Sequence, residues 1–169
     1  HRMEFLHHSV GKGLLEEGNL RDSLRQMSIV VKGMTYGDSI GQYTDMCNWL
    51  PKFQSDMKSI FQFQNHPNVY YADSRANDII MFKSCFPNSD IGADGTEPGD
   101  PLSSKRTLAD YKAVFAGLAG EIRKYPNTLF IYMTFPPLVP LETTPESARR
   151  ARAFNVWLKD EFFPTYRRE

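Results

Sequence analysis

Four short apolar runs, separated by segments whose apolar residues recur every three or four positions, constrain this chain more than any other feature. The runs are 3–7 (MEFLH), 28–34 (SIVVKGM), 79–82 (IIMF) and 127–137 (NTLFIYMTFPP). They are short, rich in β-branched or aromatic residues and bounded by Gly or Pro, as strands are. Pro136 and Pro137 stop the last run because proline has no N–H for a sheet ladder. Between them, Leu50, Phe53, Met57, Ile60 and Phe61 predict one helix over 49–63, and Leu108, Tyr111, Val114, Phe115, Leu118 and Ile122 predict another that closes near Pro126. A helix from about Leu14 follows the first strand, and a last helix runs from 145 to about 163, with Ala148, Ala151, Phe154, Trp157 and Leu158 on its apolar side. Parallel strands need a crossover, so strands alternating with helices predict an α/β fold: a three-layer αβα, flavodoxin-like sandwich around a mostly parallel sheet. Ligands in such sheets bind beyond the carboxyl ends of the strands.

Composition narrows the partners. The 169 residues carry 20 Lys and Arg against 20 Asp and Glu, a balance that argues against the broad basic surface nucleic-acid binding requires. No stretch approaches the roughly 20 apolar residues of a membrane span. Cys47 and Cys85 are too few for a disulfide scaffold. The segment SVGKG lacks both the earlier glycine and the following Ser or Thr of a phosphate-binding loop, so no nucleotide cofactor is expected, and no other cofactor is indicated.

The strand-end rule selects four loops: His7–Gly11, Gly37–Asp45, Lys83–Asn88 and Thr134–Pro137. Ser9 leaves a buried strand and enters a helix, which suits a nucleophilic hydroxyl flanked by main-chain N–H groups. The competing reading is a serine that caps the helix, worth about 1 kcal/mol.

On these residues the chain resembles the SGNH (GDSL-like) hydrolase superfamily over nearly its whole length. FLHHSVGKGLL resembles the first block, in which a strand delivers the catalytic serine and a glycine stands two residues later; the residues are Ser9 and Gly11, with His7-His8 in place of the usual Gly-Asp. The glycine of the second block, whose N–H binds the oxyanion, falls in YGDSIGQYTD, as Gly41 or in reserve Gly37. DIIMFKSCFPNS stands where the third block places its asparagine, and the matching donor is Ser84 or Asn88. YMTFPPLVP and ARAFNVWLKDE resemble the strand, loop and helix around the last block. GDSI at 37–40 spells the name motif of the superfamily but follows the second strand instead of the first, and is read as coincidence.

The resemblance implies an esterase or deacetylase working by serine acyl transfer, with a small-molecule or glycan ester as substrate. Its rivals are an O-acyltransferase on the same scaffold and an inactive sugar-binding or assembly module. A serine nucleophile needs a base and a group that orients it. The superfamily takes that base from an Asp-x-x-His block near the C terminus, and here no His follows His66. The expectation is a single domain over 1–169 that stops before its last strand and base. Inside the chain, His7 and His8 point to opposite faces of a strand and serve better to orient substrate or fix the loop, while His66 reads as a surface turn residue. No metal-ligand spacing is present. Trp49, Phe53, Phe61 and Phe63 are expected in the core or a pocket wall. Arg149, Arg150, Arg152, Arg167 and Arg168 form a solvated basic face, and Asp90, Asp94 and Asp100 lie in a loop placed to act as a lid.

Overall fold

The computed structural model describes residues 1–166. Its sheet has four parallel strands in the order β2 (Val30–Met34), β1 (Arg2–Leu6), β5 (Ile79–Phe82), β6 (Leu129–Tyr132). Met3 stands level with Val31 on one side and Ile79 on the other, and Ile79 with Leu129. Covered by helices on both faces, the sheet makes the three-layer α/β sandwich expected from the sequence.

β1 is interior and buried from Met3 to Leu6, as a strand covered on both faces must be. β6 is one of the two edge strands and departs from the expectation of full burial, with Leu129 56% exposed. Side chains alternate across the sheet. Met3, Phe5, Val31 and Ile79 pack under Leu15 of α1 (Val10–Glu16) and Leu20 and Leu24 of α2 (Leu20–Gln26). Leu6, Met34, Ile80 and Phe82 face a larger core built by α3 (Trp49–Ser55), α4 (Met57–Gln62), α5 (Leu108–Ile122) and α6 (Pro145–Trp157). Trp49, Phe53 and Phe63 lie inside that core and Phe61 against it. Trp49 and Phe53 meet Phe82 edge-on, each with ring centroids 5.0 Å apart, a favoured aromatic geometry.

Local chemistry moves several boundaries. The helix predicted over 49–63 breaks at Asp56: the Ser55 hydroxyl donates to the Pro51 carbonyl and to the Asp56 carboxylate, competing with the helical ladder. Phe63 then turns into a small antiparallel hairpin, β3 (Phe63–Asn65) and β4 (Val69–Tyr70), which the periodicity did not signal. The last helix passes at Leu158–Phe162 into a π turn and then α7 (Phe163–Tyr166). On α6, Ser147 and Phe154 are buried, while Ala148 is exposed.

The acidic loop between β5 and α5 is tied down instead of forming a lid. Asp90 accepts the Thr143 hydroxyl, Asp94 pairs with Arg149 and Arg150, and the Asp100 amide donates to Asp110. Of the basic stretch, Arg149 and Arg152 are solvated and Arg150 donates to the carbonyls of Ile91 and Gly92; Arg167 and Arg168 lie outside the described residues. Both cysteines are free.

Candidate functional site

His7, His8 and Ser9 join β1 to α1, with Ser9 at the N-cap, so the helix begins four residues earlier than Leu14. The Ser9 backbone sits at φ 39°, ψ −98°, near the values of roughly +60° and −120° that type II′ turns reserve for glycine. Its side chain caps nothing and is exposed. The capping role therefore fails on geometry, while a non-glycine residue is held in a conformation that costs about 1–3 kcal/mol. The turn is tight: the His8 carbonyl accepts the Gly11 amide at 2.9 Å and the Ser9 carbonyl accepts the Lys12 amide at 2.9 Å. Gly11 is glycine because a Cβ there would collide with His7. As N1 of a helix, Val10 has no intrahelical acceptor for its amide, and among the described residues neither the Ser9 nor the Val10 N–H finds another.

The two histidines diverge as strand alternation demands. His8 is buried; its Nε2–H donates to the Gly41 carbonyl at 2.7 Å and its Nδ1 accepts the Thr44 hydroxyl at 2.8 Å. With both nitrogens engaged and burial lowering its pKa, His8 anchors the 37–45 loop. His7 points under α1, 2% exposed, with Nδ1 unpaired; burial, with His8 and Lys83 nearby, pushes its pKa down to about 4.

Of the expected oxyanion donors, Gly41 and Asn88 have their N–H groups engaged and Ser84 is buried. The Gly41 N–H donates to the Asp38 carbonyl at 2.9 Å, and Gly41 is glycine because a Cβ would run into the Thr35 carbonyl. Gly37 likewise leaves room for the ring of His66. The Ser84 hydroxyl accepts the Trp49 indole N–H at 2.8 Å in the core. Asn88 donates to Asp45 Oδ1 at 2.6 Å and the Cys85 carbonyl at 3.1 Å, and accepts the Met46 amide at 3.0 Å, so both its amide hydrogens are used. These three positions brace the loops around Ser9 and are corrected as donors; the amides of Ser9 and Val10 are the free ones.

Two groups were overlooked in the sequence. Lys83 directly follows β5 as His7 follows β1, and its amide donates to the Leu6 carbonyl at 3.3 Å. It is 2% exposed with no carboxylate in contact among the described residues, and burial lowers its pKa. Asp38, with a fully buried side chain, accepts the Thr35 amide at 3.0 Å and the Asn68 amide at 2.9 Å, and lies 3.1 Å from His66 Nδ1. The signal for Asp38 was an acid in a strand-end loop; its partner is 28 residues away. His66, His7, Lys12, Gly33 and Thr35 line a cleft of about 320 Å³. A larger cleft, about 700 Å³, lies between the loop after β6 and α6, away from Ser9, with Phe135, Pro136, Pro137 and Leu138 in its wall.

No family model matches the chain, and no curated protein or solved structure matches it. Among the described residues no group of three or more His, Cys, Asp or Glu is placed to hold a metal ion, and no helix is long and apolar enough to cross a membrane.

Proposed function

We propose that the protein is a serine esterase or deacetylase acting by acyl transfer, with Ser9 as nucleophile and a carbohydrate ester as the substrate class that the SGNH resemblance implies. One observation carries this reading: Ser9 holds a glycine-type backbone conformation at the carboxyl end of a central strand while its hydroxyl caps nothing. Strain of this kind persists where the surrounding structure enforces it, and it collects at reactive positions. A strained strand-to-helix turn that lifts a serine hydroxyl above a sheet is also how unrelated hydrolases present their nucleophile.

In the reaction, Ser9 Oγ attacks the ester carbonyl carbon and the carbonyl π pair moves onto oxygen. The unpaired Ser9 and Val10 amides stand where they stabilise that oxyanion. Collapse expels the alcohol, and water releases the acid from the acyl-enzyme. The test is acetate release from acetylated oligosaccharides by the full-length protein. Turnover that falls by at least about 1,000-fold in Ser9→Ala, the scale of losing a nucleophile, is the expected result; undiminished turnover in that variant overturns the assignment.

A further inference from the structure

The cleft of about 320 Å³ gathers basic side chains from several elements: Lys12 of α1, Arg21 of α2, and His7 just after β1. Their charge is not matched by acids. Arg21 is half-buried, with one N–H held by the Val31 carbonyl at 2.7 Å, and no carboxylate pairs with it among the described residues. Lys12 has only Glu16, 3.9 Å away, with both side chains more than half exposed, a pairing worth little. The other acid nearby, Asp38, is turned to His66 and to the Thr35 and Asn68 amides.

The floor of the cleft is polar and open. His7 is 2% exposed and its Nδ1 has no partner, while its Nε2 lies against Gly33, where a Cβ would come within 2.6 Å of it. Glycine at that position keeps the space beside the ring clear. Burial, and then the charges of His8, Lys83 and Arg21, keep a second proton off His7, so the ring offers a neutral donor among cations. A half-buried guanidinium without a counter-charge has lost hydration and gained no partner, and its remaining N–H groups match the oxygens of a phosphate. The Thr35 hydroxyl and the Asn65 amide also line the cleft. Donors arriving from different elements suit a tetrahedral oxyanion better than a planar carboxylate. The volume exceeds what one oxyanion fills and stands near the lower end of small-molecule sites, roughly 300–1,000 Å³.

We propose that this cleft binds a small phosphate monoester, with Arg21 and Lys12 as its charged donors and the His7 ring on its floor. The site is separate from the serine reading, since Ser9 does not line the cleft.

Calorimetry and NMR on the full-length protein in phosphate-free buffer test this, with glycerol 3-phosphate, inorganic phosphate and acetate as ligands. Glycerol 3-phosphate should bind saturably and inorganic phosphate should compete with it. The imidazole signals of His7 should move on binding while those of His1, which precedes β1 at the amino end of the sheet, stay in place. Arg21→Gln should weaken binding by at least about 10-fold, the scale of one charge-assisted hydrogen bond. Lys12→Gln, at an exposed position that leaves the core intact, should weaken it about 2- to 5-fold, as losing an exposed ion pair does. Arg25→Gln, on the same helix as Arg21 but paired with Asp22 at 3.4 Å and outside the cleft, should bind as wild type does. Absence of saturable binding by either phosphate, tighter binding of acetate, or wild-type affinity in both Arg21→Gln and Lys12→Gln overturns the proposal. A fluorophosphonate probe reports the serine reading separately: an active protein that binds the phosphate ester but is not labelled at Ser9 loses that reading and keeps this one, and a protein labelled at Ser9 that binds no phosphate does the reverse.

Discussion

The turn that leaves β1 and the loop that leaves β5 stand side by side at the carboxyl edge of the sheet, and Ser9 in the one and Asn88 in the other are held in opposite ways. After β5, Asn88 is satisfied on every side: Asp45, Cys85, Met46 and, through its carbonyl, the Tyr111 hydroxyl at 3.2 Å. After β1, Ser9 is strained and uncapped, His7 Nδ1 is unpaired, and the Ser9 and Val10 amides have no acceptor among the described residues. Of these only His7 Nδ1 is buried, and a buried polar atom left unpaired costs about 1–3 kcal/mol; Ser9 is exposed, and what its turn carries is backbone strain. The first region is where stability is built and the second is where chemistry is proposed.

That contrast predicts different responses to substitution. The largest stability effect is expected for Asn88→Ala. Deleting an amide with three internal partners should destabilise by about 3 kcal/mol and lower Tm by roughly 6–12 °C in a chain of this size. Thermal melts give the loss, and probe labelling per folded molecule should stay at the wild-type level. Lost labelling at full foldedness would return Asn88 to the site.

A comparable effect follows from acid. His7 is neutral in the fold down to about pH 4, whereas in the unfolded chain it takes up a proton near 6.5. Between those values the unfolded state binds more protons, so stability falls as pH falls, by up to about 3 kcal/mol. On the other side, Glu4 is wholly buried with both oxygens unpaired, and burial with Asp38 nearby holds its pKa well above the usual carboxylate range. The folded state then keeps a proton that the unfolded chain loses above about 4.5, and stability declines as pH rises from there. Urea unfolding across pH, with His7→Gln and Glu4→Gln as controls, separates the two arms: the first variant should flatten the acid arm and the second the alkaline one.

Smaller effects discriminate further. Gly41→Ala drives a Cβ into the Thr35 carbonyl and should cost about 1–3 kcal/mol, as overpacking does. Ser9→Gly should do the reverse, raising stability by up to about 1 kcal/mol through relief of the φ 39° conformation, while abolishing reaction with the probe. A Ser9→Gly variant that is less stable than wild type would show that the turn is not strained.

The sheet and main helices were legible because their signals are local. Ile79–Phe82 has the predicted limits, and the helix predicted from Leu108 begins there and ends at Ile122, short of Pro126, since a continuous apolar run and a 3.6-residue period are carried by neighbouring residues. The hairpin of β3 and β4 was not legible: Asn65-His66-Pro67-Asn68 reads as a surface turn, and nothing in its composition announces that His66 meets Asp38. The N–H groups of Gly41 and Asn88 are engaged, which was not legible because hydrogen-bond partners depend on loop geometry that residue spacing does not encode. The burial of Lys83 was not legible because it follows from register, Leu6 and Phe82 lying level at the ends of neighbouring strands just before His7 and Lys83. The strain at Ser9 was equally invisible, because a positive φ at a non-glycine residue leaves no mark in sequence.

The central claim, that the uncapped serine after β1 is the nucleophile, is tested most directly by locating a covalent adduct. Peptide mapping by mass spectrometry after fluorophosphonate treatment of the full-length, active protein should place one adduct per chain on Ser9. An adduct confined to another residue, or full ester-cleaving activity in a protein with no adduct at Ser9, would contradict it.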